Sequence, residues 1–472
     1  YYYYTMAKLF KGDGVVKNFS VLALCNFAVH IFNFLINMYL ARELGPNGFG
    51  EYGVFITWAA IIQSVSSLGI QQVTIRNIAR DNENSNFHFF ISLSARLIGF
   101  IFTIALFTVY VFIAKEVTPI FYGLVVLYAF FLFLWDTIQN AAFGMQKMAS
   151  CGYVNALGSA LFLLFLIIAL HRAIYLYLVF VLLLVVQVIK DIYFYHTCKK
   201  SKVFLGERKK IDKTLIVHLI KESFPFYIIV VFSLCTTQFP VLFLSNNSNL
   251  EEVAYFNTAN KLMVPLSMIL QTLLVALFPK FVNDREKNPA LFNKNARLSF
   301  YGMAFLGSVT CFIISLFRNE IVFLIYGQEY ASTGMVMLSQ SWYVVYFSLL
   351  SFYGTILTSL NRDKVLATIS TTNSLVWVPI LWFASPYGAT IMSYGFIIGS
   401  IINMLSNSIF VNKINCSIFG KKGLIIVNLS LFACVTLSFL INDSINLIYR
   451  CLICIILISI SGACIYNFTK RR

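Results

Sequence analysis

Residues 97–135 read LIGFIFTIALFTVYVFIA-KEVT-PIFYGLVVLYAFFLFLW. Two uncharged, mainly apolar runs are joined by Lys115-Glu116-Val117-Thr118, with Arg96 directly before the first run and Asp136 directly after the second. Each run is close to the roughly 20 residues that carry an α-helix across a hydrocarbon core. Neither alternates with period two, which excludes the strands of a membrane barrel. The pair therefore reads as two antiparallel membrane helices joined by a short turn.

The same pattern extends in both directions. Upstream runs lie at 19–40 and 52–70, and the quoted pair corresponds to spans 88–113 and 119–142. Further runs follow at 151–170, 174–196, 226–245, 253–278, 298–317, 335–358, 366–383, 388–411, 424–441 and 447–468. The whole chain is 59% hydrophobic and only 11% charged, with mean hydropathy +0.79. A soluble domain carries about 25% charged residues, so lipid must solvate much of this surface. The expected fold is all-α: a polytopic membrane protein of about 14 transmembrane helices.

Most of the 35 Lys and Arg residues fall at the termini and in the even-numbered gaps between spans. The odd-numbered gaps hold Arg42, Lys115, Arg172 and Arg318. By the positive-inside rule both termini are cytoplasmic. The net charge of +16 then reflects anchoring to anionic lipid, and no nucleic-acid partner is expected. The densest basic stretch is Lys199, Lys200, Lys202, Arg208, Lys209, Lys210 and Lys213, a cytoplasmic linker. Residues 211–222 are expected along the interface, with Pro225 opening span seven. Tyr1–Thr5 precede the first Met, Met6, and read as non-native. The Cys451-Leu-Ile-Cys454 pattern lies in the last span without a nearby His and reads as small hydrophobic side chains, so no metal or cofactor is expected.

The chain also resembles itself. Gly50-Glu51-Tyr52-Gly53 is echoed by Glu252-Val253-Ala254-Tyr255-Phe256, and Ala95-Arg96-Leu97 by Ala296-Arg297-Leu298. Six spans separate the copies, an even number that keeps both in one membrane orientation. That is a parallel repeat. It predicts two six-helix lobes related by a pseudo-two-fold axis around a central path, plus a C-terminal helix pair. The expected organisation is a cytoplasmic N-terminus (1–17), an N-lobe (18–197), a basic linker (198–225), a C-lobe (226–412) and the extra pair with a basic tail (413–472).

Polar groups inside the spans are the candidate functional residues. Asn26, His30, Asn33 and Asn37 fall within an arc of roughly 60° on span one. Four such groups on one stripe line a cavity or hydrogen-bond to neighbouring helices. Arg96 lies about two turns into span three, either snorkelling to the cytoplasmic face or lining a cavity. Lys261 lies about two turns into span eight, one turn from Asn257. A cation at mid-bilayer costs roughly 2.5–3.5 kcal/mol or more, and such cations suit an anionic group entering the membrane. Asp136, one turn before Asn140, is a candidate to pair with a cation or to exchange a proton or sodium ion. Lys190-Asp191 reads as an interfacial pair. No phosphate-binding loop of the ATPase type and no catalytic constellation is recognisable, and the outer gaps are short, so no enzyme activity is expected.

Leu40-Ala41-Arg42-Glu43-Leu44-Gly45-Pro46, continuing as Phe49-Gly50-Glu51-Tyr52, resembles the signature between the first two helices of polysaccharide flippases. These are the Wzx-type translocases of the multidrug/oligosaccharidyl-lipid/polysaccharide exporter superfamily. Gly69 with Arg76-Asn77-Ile78-Ala79-Arg80, then Phe143-Gly144-Met145-Gln146-Lys147, Ser223-Phe224-Pro225-Phe226 and Tyr326-Gly327-Gln328-Glu329-Tyr330, resemble further blocks of that family. The resemblance implies translocation of an undecaprenyl-pyrophosphate-linked oligosaccharide, for O-antigen lipopolysaccharide or a related surface polysaccharide, across a bacterial inner membrane. It implies lipid-linked oligosaccharide, membrane lipids and polysaccharide polymerase and chain-length machinery as partners. On this reading Asn26, His30, Asn33, Asn37, Arg42, Arg96, Asn257 and Lys261 contact the headgroup and Asp136 couples an ion. Lipid II flippase and multidrug exporter are the alternatives within the superfamily, the latter disfavoured because internal cations repel cationic drugs. A membrane polysaccharide polymerase is the alternative outside it.

Overall fold

A computed structural model describes residues 13–114, 118–170, 176–206, 212–360, 362–414 and 433–439. Among these residues there are thirteen α-helices between 13 and 414, a further helical stretch at 433–439, and no strand. Nine helical segments among them are long and apolar enough to cross a membrane. The protein is an all-α polytopic membrane protein. Span fourteen with its Cys451-Leu-Ile-Cys454 pattern, most of span thirteen, residues 1–12, and 207–211 of the basic linker lie outside the described residues, as do Lys115 and Arg172.

The chain divides into two compact units between Gln238 and Phe239. The first unit begins with α1 (Asp13–Ser66), which is broken at Gly45 into two arms, 13–44 and 46–66. Gly45 has φ 65° and ψ 177°, a region essentially closed to side chains. Pro46 follows, and its fixed φ starts the second arm. Spans one and two are these two arms. Next come α2 (Gln71–Arg80), α3 (Ser85–Ala114), α4 (Pro119–Gly144), α5 (Met148–Leu170), α6 (Leu176–Lys200) and α7 (Lys213–Thr237). The start of α4 combines a Thr118 hydroxyl accepting from the Phe121 amide at 3.3 Å with Pro119 in the first turn.

The core of the first unit forms where the second arm of α1 packs on α4 and α6. Phe55, Ala59 and Ile62 meet Val125, Ala129 and Phe133, and Phe55 stacks on Phe180 with centroids 4.0 Å apart. A second cluster nearer the other end joins Ile78 of α2, Trp135 and Ile138 of α4, Cys151 of α5 and Phe194 of α6. The first arm packs against α5, where Gly152 lets Cys25 and Leu22 approach closely.

The expectation for 211–225 is corrected by α7. The helix runs unbroken through Pro225, and the break falls at Gln238 instead. A proline removes one backbone donor, a loss that membrane helices tolerate when neighbouring groups re-satisfy the freed carbonyl. Span seven is thus the end of α7 followed by α8 (Phe239–Asn247).

The second unit continues with α9 (Leu250–Lys287), α10 (Pro289–Tyr326), α11 (Thr333–Ser359), α12 (Asp363–Ala384) and α13 (Gly388–Ile414). Asn249 caps α9 by accepting from Glu252 N at 2.9 Å, and Asn288 caps α10 just before Pro289. The long helix α11 is the centre of this unit, with Trp342, Leu349, Phe352 and Ile356 fully buried. It packs against α9, α10 and α13. The described stretch 433–439 also docks here: Trp342 Nε1 donates to Ser438 Oγ at 2.7 Å, and Ser315 Oγ donates to Ser438 O at 2.6 Å. The internal order is the same in each unit. In the first, the second arm of α1 packs on α4 and α4 on α6; in the second, α9 packs on α11 and α11 on α13.

Candidate functional site

The first arm of α1 is exposed over about half of its circumference in the stretch 23–33, and that half has two characters. Asn26, His30 and Asn33 occupy one stripe; Leu24, Phe27 and Ile31 occupy another, roughly 100° around the helix. Asn37, the fourth residue of the polar stripe, is buried, and its amide donates to Asn33 O at 2.5 Å. The stripe therefore presents three polar side chains outward and turns the fourth onto its own backbone. Arg42 is exposed at the end of the same arm, just before the Gly45 corner.

Arg96 does not snorkel. Its side chain is fully buried, donating to Asp136 Oδ2 at 2.5 Å and to Thr137 Oγ1 at 2.9 Å. The guanidinium carbon lies 5.2 Å from the centre of the Phe133 ring. One face of α4 thus receives the cation with a carboxylate, a hydroxyl and an aromatic face. Arg96 Nε has no hydrogen-bond partner, and neither polar atom of the fully buried Asn140, one turn beyond Asp136, has one. The equivalent cation in the sequence repeat behaves differently: Arg297 is half-buried and donates to Asn293 O in its own helix.

A second ionic group packs behind α4. Lys190 of α6 places its ammonium 4.5 Å from the Trp135 ring centre and donates to Gln187 Oε1 at 3.3 Å. Gln187 donates in turn to Asp191 Oδ1 at 2.9 Å, and Asp191 is buried. The Lys190 stem crosses Gly158 of α5, where any side chain would collide with it. Two cations and two carboxylates therefore sit on α3, α4 and α6 of one unit. Sequence reasoning singled out the charged members, but missed Thr137, Phe133, Trp135 and Gln187 as their partners. The i, i+4 spacing of Gln187 and Asp191 was the one available signal.

At the loop end of this unit, α2 meets the start of α7 through an ion pair between Arg76 and Glu222. A small cavity of about 130 Å³ lies beside it, with His88, His218, Asn77 and Glu222 in its wall. Asp81 closes the corner after α2. The Asn84 amide first, and then His88, hold its carboxyl below the usual carboxylate range, so it stays ionised at neutral pH.

In the second unit, Lys261 lies 11 residues after the first residue of α9, Leu250, which is about 16 Å along the axis. Its side chain is exposed, and Asn257 one turn earlier is half-buried. Among the described residues no carboxylate pairs with Lys261. Gln340 of α11 is buried and donates to Phe256 O of α9 at 3.3 Å, so one of the extra polar groups of this unit has a packing role. The Asn373 side chain is outside the described residues. Among the described residues no cluster of three His, Cys, Asp or Glu side chains could hold a metal ion.

Comparison with solved structures gives the same helical architecture. The chain superimposes on a lipid II flippase, MurJ, in an inward closed conformation, with TM-score 0.71 and 14% identity over 94% of this chain and 98% of that one. A multidrug resistance MATE family transporter of the MOP superfamily, in its inward-facing conformation, gives TM-score 0.63 and 14% identity over 82% of this chain and 95% of that one. A Vibrio cholerae MATE transporter, VcmN in the bent form, gives TM-score 0.53 and 12% identity over 88% and 99%. At these identities the likeness is one of fold. No curated protein sequence matches the chain. The sequence model for polysaccharide biosynthesis proteins matches residues 15–285, from the first arm of α1 to nearly the end of α9, and that span is more than half of the chain. The polar stripe, the Gly45 corner, the Arg96–Asp136 pair and Lys261 all fall inside it, and the chain belongs to the polysaccharide biosynthesis protein family.

Proposed function

We propose that the protein is a flippase that moves undecaprenyl-pyrophosphate-linked oligosaccharide repeat units, for O-antigen or a related surface polysaccharide, across the bacterial inner membrane by alternating access. The observation that carries this reading is Lys261: an exposed lysine about two turns into the apolar run 253–278, in a chain of a polysaccharide biosynthesis family. An unpaired cation at that depth is costly unless water and an anion reach it. A pyrophosphate in transit is such an anion. The exposed amides and imidazole of Asn26, His30 and Asn33 supply hydrogen bonds of the kind sugar hydroxyls need. Asn37 steadies the stripe, Asn257 borders Lys261, and Arg42 meets the pyrophosphate at the end of its helix.

Arg96 and Asp136 form the coupling pair on this reading. While Asp136 neutralises Arg96, neither charge is available. When the pyrophosphate draws Arg96 away, Asp136 takes a proton or a sodium ion in its place, so headgroup and ion are exchanged on one cation. Both termini lie in the cytoplasm, and polymerase and chain-length proteins consume the product on the other side.

The test is transport in proteoliposomes containing lipid-linked oligosaccharide, scored by enzymatic access to the sugar from one side. Lys261→Ala and Arg96→Ala should each stop translocation while the protein remains folded. Unchanged transport in both variants would remove the charge-compensation mechanism. The likeness of fold to a lipid II flippase favours one second reading, transport of the peptidoglycan precursor. Supplying lipid II and an O-antigen precursor in parallel separates the two.

A further inference from the structure

In the second unit, α9, α10 and α11 leave between them a cavity of about 410 Å³. Its wall is hydrocarbon: Leu266, Leu270, Ile314 and Met337 are buried at its back, and Ile269 and Leu306, 60% and 47% exposed, form its open side. The one hydroxyl in the wall, that of Thr310, is already donated to Leu306 O at 2.9 Å. Nothing in the lining asks for a hydrogen bond, so a hydrocarbon loses nothing by entering.

Lys261 continues the same line. Lys261, Pro265 and Ile269 are spaced four apart and occupy one stripe of α9, and the last two line the cavity. Pro265 also has no N–H to offer the Lys261 carbonyl four residues back, so the turn between ammonium and groove lacks a helical hydrogen bond. A cation thus lies at one end of an apolar trough.

We propose that this trough holds the polyprenyl chain of the same lipid whose pyrophosphate Lys261 contacts, so that head and tail are bound together by α9; the proposal rests on the flippase reading above. Depth argues against a resident phospholipid. Its phosphate stays at the interface, whereas Lys261 lies about two turns into the apolar run 253–278 that the sequence marks as a span. The lipid whose phosphate reaches that level is one being carried.

The experiment is photolabelling of the full-length protein in proteoliposomes. The probe is undecaprenyl pyrophosphate with a diazirine in its isoprenoid chain, and the control is phosphatidylglycerol with a diazirine in an acyl chain at the same mole fraction. The expected result is labelling of 262–270 and 306–314 by the first probe, abolished by excess unlabelled undecaprenyl pyrophosphate. Lys261→Gln should raise the probe concentration for half-labelling about tenfold or more, the scale of one charge-assisted contact. Ile269→Trp adds bulk at an already exposed position, so the fold is kept, and should remove the label. Equal, uncompeted labelling by the phosphatidylglycerol probe would make the trough ordinary lipid-facing surface and overturn the proposal. Crosslinks to a second copy from this stripe would do the same. Intact flipping of lipid-linked oligosaccharide with labels elsewhere ends this proposal alone; absence of flipping by the wild-type protein ends the flippase reading.

Discussion

Replacing Asp136 by Asn removes the charge from the Arg96 pair and leaves the shape of α4 almost unchanged. Arg96 is fully buried and Asp136 is 17% exposed, so the cation is the partner that cannot reach water. Breaking a buried pair by neutralising one partner costs about 3–5 kcal/mol. The lower end applies here, about 3 kcal/mol, because Thr137 and the Phe133 face still hold the guanidinium. For a unit of roughly 200 residues that corresponds to a fall in Tm of about 6–12 °C. The informative companion is Arg96→Met with Asp136→Leu. Replacing both members by apolar groups avoids the unpaired charge and should be neutral or stabilising by about 1–4 kcal/mol. The assay is thermal unfolding in detergent, followed by tryptophan fluorescence and monodispersity, with transport measured on the same preparations. The double variant should melt near the wild type yet fail to transport, since it has neither the cation nor the carboxylate that the proposed exchange needs. If Asp136→Asn melts with the wild type, or the double variant falls as far as the single one, the pair does not hold the charge balance of the first unit.

Gly45→Ala forces a side chain into φ 65°, ψ 177° at a cost of about 1–3 kcal/mol, so its folded yield in membranes should drop, whereas Gly123→Ala, which meets open space, should not change yield. Gly69→Ala should be worse than Gly45→Ala: a methyl there would lie 2.3 Å from the Tyr227 amide nitrogen, so α7 itself must move, and limited proteolysis between α6 and α7 should accelerate. His30→Leu with Asn33→Leu should leave stability within about 1 kcal/mol of wild type, because both side chains are exposed, and should abolish sugar-lipid transport; retained transport would remove the α1 stripe from the headgroup site.

The membrane helices were legible because lipid demands about 20 apolar residues per crossing, and that demand writes directly into sequence. The Gly45-Pro46 pair lay in the gap expected between spans one and two; the corner itself came from the structure, where few residues other than glycine accept its backbone angles and proline suits the first turn that follows. Pro225 misled because proline is a breaker in water, while α7 carries it internally. Arg96 and Asp136 were each visible as costly charges, but their pairing joins positions 40 residues apart on different helices, and no local pattern encodes it. The same holds for the α9–α10–α11 trough: its walls are Leu, Ile and Met, indistinguishable in sequence from lipid-facing residues. Asn37 shows the limit of periodicity. It shares the stripe of Asn26, His30 and Asn33, and yet the turn of helix around it is covered, so the same angle on the wheel gives one buried amide and three exposed polar groups.

The difference in exposure between the two interior cations predicts an order of events. Lys261 is exposed now, whereas Arg96 is sealed behind Asp136 and Thr137. On the proposed flippase reading, a pyrophosphate can therefore meet Lys261 without parting an ion pair, but can reach Arg96 only after the carboxylate lets go. Releasing it in one step would leave a buried guanidinium unpaired, at about 3–5 kcal/mol. Exchange, with the phosphate approaching as Asp136 leaves, avoids that intermediate. Lys261→Ala should then weaken the binding of lipid-linked oligosaccharide measured without any ion gradient. Asp136→Asn should leave that binding within about twofold and instead abolish the dependence of transport rate on pH or sodium. If Asp136→Asn loses gradient-free binding as Lys261→Ala does, the two cations act together at first contact, and the exchange at Arg96 is not a separate step.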